Sequence, residues 1–157
     1  MDQPIQLAGG AFDSLEAMMR AHAEAAVRLA ANDHGMTLDY SPESVARLET
    51  VLAARIPVPE AEIEKATLLW GGYFGEVFRR KYPAEWIMAV YPGQTPDTPS
   101  ESSAVSMPAL DVDGSHIYPL LKIARRLTLG PAEDVAAFYA KVAAALDARG
   151  KQAPQRD

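Results

Sequence analysis

Apolar side chains recur along this chain in two rhythms. Over most of its length they return every three or four residues, the spacing of one helix face; between Trp86 and Tyr118 they fall in short runs suited to extended strands. Leu15, Met18, Met19, His22, Ala26 and Leu29 mark a first helix. Asp13 in front of it, with Glu16 three residues on, makes a capping pattern, and Gly35 is placed to end it. After an extended connector, Met36 to Tyr40, Ser41-Pro42 opens a second helix, with Ser41 as N-cap and proline at the first helical position. Val45, Leu48 and Leu52 form its inner face, and Pro57 and Pro59 break it.

The third predicted helix, from about Pro59 to Lys81, is unusual. Ile63, Ala66, Trp70, Phe74 and Val77 lie on one stripe, yet Gly71, Gly72 and Gly75 sit in the same helix. Each glycine costs about 1 kcal/mol relative to alanine there. Gly72 and Gly75 fall opposite the apolar stripe, so the helix is expected to be contacted from both sides and to be the central one.

Beyond Pro83 the period changes. Trp86 to Tyr91 is a strand candidate, and Pro92 to Ser103 has the proline, serine and threonine content of a mobile loop. Val105 to Val112 and Ser115 to Tyr118 flank Asp113-Gly114, a two-residue hairpin signal, because both turn positions require positive φ. Pro119 opens a short helix, Leu120 to Leu127, and Gly130-Pro131 starts the last, with Val135, Phe138, Tyr139, Val142 and Leu146 as its stripe. Residues 1–12 read as a loose arm and 149–157 as a disordered polar tail. The expected fold is one α+β domain spanning 1–157, in which about five helices with the glycine-bearing helix central pack on an antiparallel sheet of about three strands.

Composition narrows the function. The chain has 157 residues, 48 % of them hydrophobic, no cysteine and a net charge of −6. Disulfides, thiolate metal sites and cysteine nucleophiles are excluded. An acidic balance disfavours nucleic acid, and the longest apolar runs fall short of the roughly 20 residues of a membrane span. The N-terminus has neither the basic start nor the apolar run of a signal peptide, so a cytoplasmic location is expected.

Candidate chemistry gathers on the third helix. Glu76 lies beside Gly75 with Arg80 one turn on; it reads either as a carboxylate offered to a ligand or as an ion-pair partner, and the second is expected. Arg79-Arg80-Lys81 is a basic cluster at a helix C-terminus, where the dipole favours it; an anion site there needs a further cation from Lys122, Arg125 or Arg126. Tyr73, Glu76, Arg79, Arg80, His116 and Lys122 form the candidate ligand- or partner-binding set. His22, His34 and His116 lack metal-ligand spacing, so no metal and no cofactor is expected. Gly71-Gly72-Tyr73-Phe74-Gly75 has neither the preceding strand nor the Gly-Lys-Ser/Thr ending of a phosphate loop, and no serine sits in a nucleophile elbow. No catalytic residue is assigned.

Gly72-Tyr73-Phe74-Gly75-Glu76-Val77, the basic pair after it, and Trp86 at the head of a strand resemble a family of small bacterial domains of unknown function. Those domains carry a Gly-x-Tyr-x-Gly-Glu helix, a Trp-containing strand and, after a proline, a Lys-x-x-Arg-Arg-Leu helix, here Lys122 to Leu127. The resemblance runs from about Leu38 to Leu146 and implies architecture without a mechanism. The expected function is a non-enzymatic bacterial binding or interaction protein, such as an accessory or immunity-type partner of another protein. The alternative is a small-molecule or anion-binding domain, catalytic or not, centred on Glu76 and its arginines.

Overall fold

The computed structural model describes residues 5–7, 10–12, 14–90 and 106–152, with side chains described from 14 to 90 and 106 to 149. Two short strands, β1 (Ile5–Leu7) and β2 (Gly10–Phe12), pair antiparallel. Helices α1 (Leu15–His34), α2 (Ser44–Arg55) and α3 (Ile63–Lys81) follow, the last preceded by a 3-10 turn at Glu60–Glu62. Strands β3 (Glu85–Val90), β4 (Ser106–Val112) and β5 (Ser115–Ile117) form an antiparallel sheet in the order β3-β4-β5. Helices α4 (Pro119–Leu129) and α5 (Val135–Gln152) complete the chain. The α+β architecture, the five helices and the three-stranded sheet match the expectation from sequence.

The core is organised around α3, every residue of which from Trp70 to Phe78 is buried. Its three glycines receive three different elements. A Cβ on Gly71 would stand 2.8 Å from the Leu120 side chain and 3.0 Å from its Cα, so α4 lies against that point. On Gly72 it would meet His22 Cβ at 3.0 Å and the Met19 carbonyl at 3.1 Å, which places α1 there. On Gly75 it would overlap Cη2 and Cζ2 of the Trp86 indole, which enters from β3. The conformational cost of glycine in a helix is thus exchanged for close approach on three bearings. On a further bearing, Phe74 and Phe78 meet α5 through Phe138 and Tyr139, with ring centroids 6.1 and 4.8 Å apart.

Several local signals translate directly into geometry. Gly35 ends α1 with φ of 63°, and its N–H is bonded to the Ala31 carbonyl. Asp113 and Gly114 adopt φ of 57° and 90° between β4 and β5, and the Asp111 carboxylate accepts the Gly114 N–H at 3.0 Å.

Other expectations need correction. Ser14, not Asp13, is the N-cap of α1, since its Oγ accepts the Ala17 N–H at 3.1 Å. Regular α2 begins at Ser44, three residues after the expected cap; Ser41 still accepts the Ser44 N–H through its Oγ, so its capping role is kept at the head of a turn. The N-terminal arm carries the β1–β2 ladder, with Gln6 opposite Ala11. Helix α5 runs through Arg149 to Gln152, where a polar tail was expected. The loop expected at 92–103 lies outside the described residues.

Candidate functional site

The helix α3 cluster is assembled from the inside. Glu76 is fully buried. Arg79 grips it with two bonds, Nε to Oε2 at 2.6 Å and Nη2 to Oε1 at 2.9 Å. Arg80 Nε adds a bond at 3.3 Å, and the Trp86 indole N–H donates to Oε2 at 2.9 Å. Burial pushes the Glu76 carboxyl upward, but the donors from Arg79, Trp86 and Arg80 outweigh it, and the net direction is down. Arg79 also reaches Glu16 of α1 at 3.8 Å. Glu76 is therefore an ionised carboxylate whose lone pairs are already occupied, holding α3 to β3 through the same indole that Gly75 admits. Gly75, Glu76 and Trp86, which appear together in the sequence motif, work here as one lock: the glycine makes the space, the indole fills it and the carboxylate receives its N–H.

Tyr73 serves a second lock. Its hydroxyl accepts the Tyr40 N–H at 2.7 Å and lies 2.7 Å from Ser44 Oγ, which in turn donates to the Ser41 carbonyl at 2.7 Å. Tyr40 itself sits at φ of 68°, a left-handed conformation that costs a tyrosine energy. Its ring stacks on Tyr73 at 4.9 Å and lies 3.6 Å beneath the Arg80 guanidinium. These contacts hold the α1–α2 connector onto α3. Tyr73, Glu76, Arg79 and Arg80 are consequently engaged in packing contacts, and none of them lines the cleft described next.

A concave surface lies elsewhere. A cleft of about 630 Å³ opens between β5 with the adjoining Tyr118, α4 and α5. Its apolar wall is made by Ile117, Tyr118, Leu121, Phe138, Val142 and Leu146, with Ala145 at the lip. His116, Lys122, Arg125, Lys141 and Arg149 surround them, and among the described residues no Asp or Glu lines the cleft. Lys122 and Arg125 are both held by Glu133, through Nζ at 2.8 Å and Nε at 3.1 Å. Bonds from Arg125 and then Lys122 bring the Glu133 carboxyl down to about 2. Arg149 bonds two neutral oxygens, Ser115 Oγ at 3.0 Å and the Asp113 carbonyl at 3.4 Å. His116 Nε2 stands 4.0 Å from Asp111 and its ring is edge-on to Tyr118.

Of the six candidate residues, then, His116 and Lys122 line the cleft and the four on α3 do not. The cleft residues the sequence reading left out are Tyr118, Leu121, Lys141, Val142 and Arg149 among others. Val142 belongs to the stripe expected to form the core face of the last helix. In the structure that stripe is split. Val135 and Tyr139 are buried, whereas Phe138, Val142 and Leu146 are half-buried and turn one edge to the cleft. The signal was present: the stripe is broad, and Lys141, Ala145 and Arg149 run along its border at i, i+4 and i+8, the spacing of one helix ridge.

Arg126, the third cation considered with the Arg79-Arg80-Lys81 cluster, is instead buried against Glu49, Nη2 to Oε2 at 2.6 Å, while Glu49 Oε1 accepts the Val135 N–H at 3.1 Å. That carboxylate ties α2 to both α4 and α5. Among the described residues no three His, Asp or Glu side chains gather as a metal site, and no helix is long and apolar enough to cross a membrane. No family model, no curated protein and no solved structure matches the chain.

Proposed function

We propose that this chain is a binding protein without catalytic chemistry of its own, and that its ligand is a small molecule seated in the cleft between β5, α4 and α5. The observation that carries the reading is the concavity itself. Its volume of about 630 Å³ lies within the roughly 300–1,000 Å³ of small-molecule sites, and apolar walls with a few polar groups at the rim are the usual lining of such sites. The absence of a catalytic role rests on the polar groups present. Ser115 Oγ is engaged by Arg149, and among the described residues no hydrogen bond joins it to His116, so nucleophile and base are not paired. The reading centred on Glu76 has less support, because a carboxylate with four donors already on it has little capacity left for a ligand.

Titration with Nile red, a neutral apolar dye, tests the proposal. The folded protein should give a saturable fluorescence increase with one site per chain. Ala145→Trp, which places an indole over the mouth of the cleft from an exposed helix position, should abolish that increase while leaving the far-ultraviolet circular dichroism and melting temperature close to wild type. Saturable binding that survives Ala145→Trp would place the site elsewhere, and no saturable binding would remove the reading.

A further inference from the structure

The charged side chains that line the cleft are, among the described residues, all cationic, on a chain whose net charge is −6. The four fixed cations are not equivalent. Glu133 offsets part of the charge of Lys122 and Arg125 and holds both in place. Among the described residues Arg149 bonds only neutral oxygens, which orient the guanidinium without cancelling it, and Lys141 has no ion pair. They stand eight residues apart on one ridge of α5, about 12 Å at 1.5 Å per residue. Between and below them the wall is Phe138, Val142 and Leu146 from α5, faced by Leu121 and Ile117. An apolar body can lie along this wall and be desolvated there at about 25 cal/mol per Å². A cationic head would meet uncancelled like charge, and a neutral one would gain no charge-assisted bond from Lys141 or Arg149, which are exposed to water. An oxyanion would find donors at either end, and charge-assisted bonds to a guanidinium are among the strongest available to it.

We infer that the cleft selects a monomeric amphipathic anion, an aliphatic or aromatic body ending in a carboxylate or similar oxyanion, with Lys141 and Arg149 as its selectivity residues. The inference rests on the binding reading above and names its ligand class. The shared chemistry could be met by a free amphiphile or by an anionic lipid in a bilayer; the half-enclosed walls favour the free monomer.

The test is displacement of Nile red by three ten-carbon probes below their micellar concentrations: decanoate, decanol and decyltrimethylammonium. Decanoate should displace at least tenfold more effectively than the other two. Lys141→Gln/Arg149→Gln should erase that preference while Nile red binding itself is retained. Equal displacement by all three probes, or a preference unchanged in the double variant, would overturn the inference and leave the binding reading standing. Failure of every probe to displace the dye would instead count against the binding reading as well. Co-sedimentation with vesicles of phosphatidylglycerol and phosphatidylcholine at 1:3, without displacement by monomeric decanoate, would assign the anion preference to a membrane surface and overturn the monomer.

Discussion

Glu76→Gln separates a structural carboxylate from a functional one, and the structure sets the size of its effect. The substitution keeps the shape and removes the charge. Losing one partner of a buried ion pair costs about 3–5 kcal/mol when the other is left buried. Here the arginines are not fully enclosed, with side-chain exposures of 24 % for Arg79 and 41 % for Arg80, so both can recover water. What remains is an amide NH2 turned toward a donor, either the Trp86 indole N–H or an Arg79 N–H, and a buried donor without an acceptor costs about 1–3 kcal/mol. Removing the desolvated charge returns part of this. The expected loss is about 2 kcal/mol at neutral pH, or about 4–8 °C in melting temperature for a domain of this size. Urea unfolding should show a lower midpoint with an unchanged slope. The pH dependence carries a second signature. The folded-state carboxyl is held below its ordinary range, so its contribution is present above about pH 4.3, the unfolded value, and is lost as pH falls through the folded value. The gap between wild type and Glu76→Gln should therefore narrow in acid. A midpoint within about 0.5 kcal/mol of wild type at neutral pH, or a gap equally large at pH 3 and pH 7, would refute the reasoning.

Gly75→Ala should destabilise by about 1–3 kcal/mol in a thermal melt, despite the better helix propensity of alanine, because the new methyl overlaps an indole that Glu76 holds in place; a stabilised variant would show that Trp86 can move aside. Glu49→Ala should cost about 3 kcal/mol or more, since it strands the buried Arg126 and the Val135 N–H together, and equilibrium unfolding measures this directly. Tyr73→Phe should cost about 1–3 kcal/mol by releasing the Tyr40 N–H, with amide exchange at Tyr40 accelerating in step. In acid, the stabilisation from Glu133 should persist above the ordinary carboxylate range and be lost as pH falls toward about 2; Glu133→Gln should flatten that part of the stability–pH curve.

Where a residue's role is set by its immediate neighbours, the sequence was enough. Asp113-Gly114 can hardly be other than a hairpin turn, and Gly35 after a helical stripe is a stop. The glycines of α3 could be read as close-approach points because a propensity cost inside an apolar helix needs a packing cause, and Glu76 with Arg80 at i+4 announced an ion pair. What could not be read was which element presses on which glycine, nor that Trp86 supplies both the ring at Gly75 and a donor to Glu76, because these depend on a chain reversal at residues 82–84. The cleft was hidden for a similar reason. It belongs to no single element: Tyr118 and Leu121 come from the β5–α4 junction, Lys141 and Val142 from α5, and only tertiary placement brings them together. Within α5 alone, Phe138 and Val142 are indistinguishable from core residues, since half-burial at a cleft demands the same apolar character as full burial.

The most direct test of where this protein binds is an amide chemical-shift map recorded as decanoate is added to the uniformly 15N-labelled chain. Binding in the cleft predicts saturable shifts concentrated at 115–122 and 138–149, with 73–80 nearly unmoved. Shifts centred on Tyr73, Glu76, Arg79 and Arg80, with α5 and β5 silent, would contradict it.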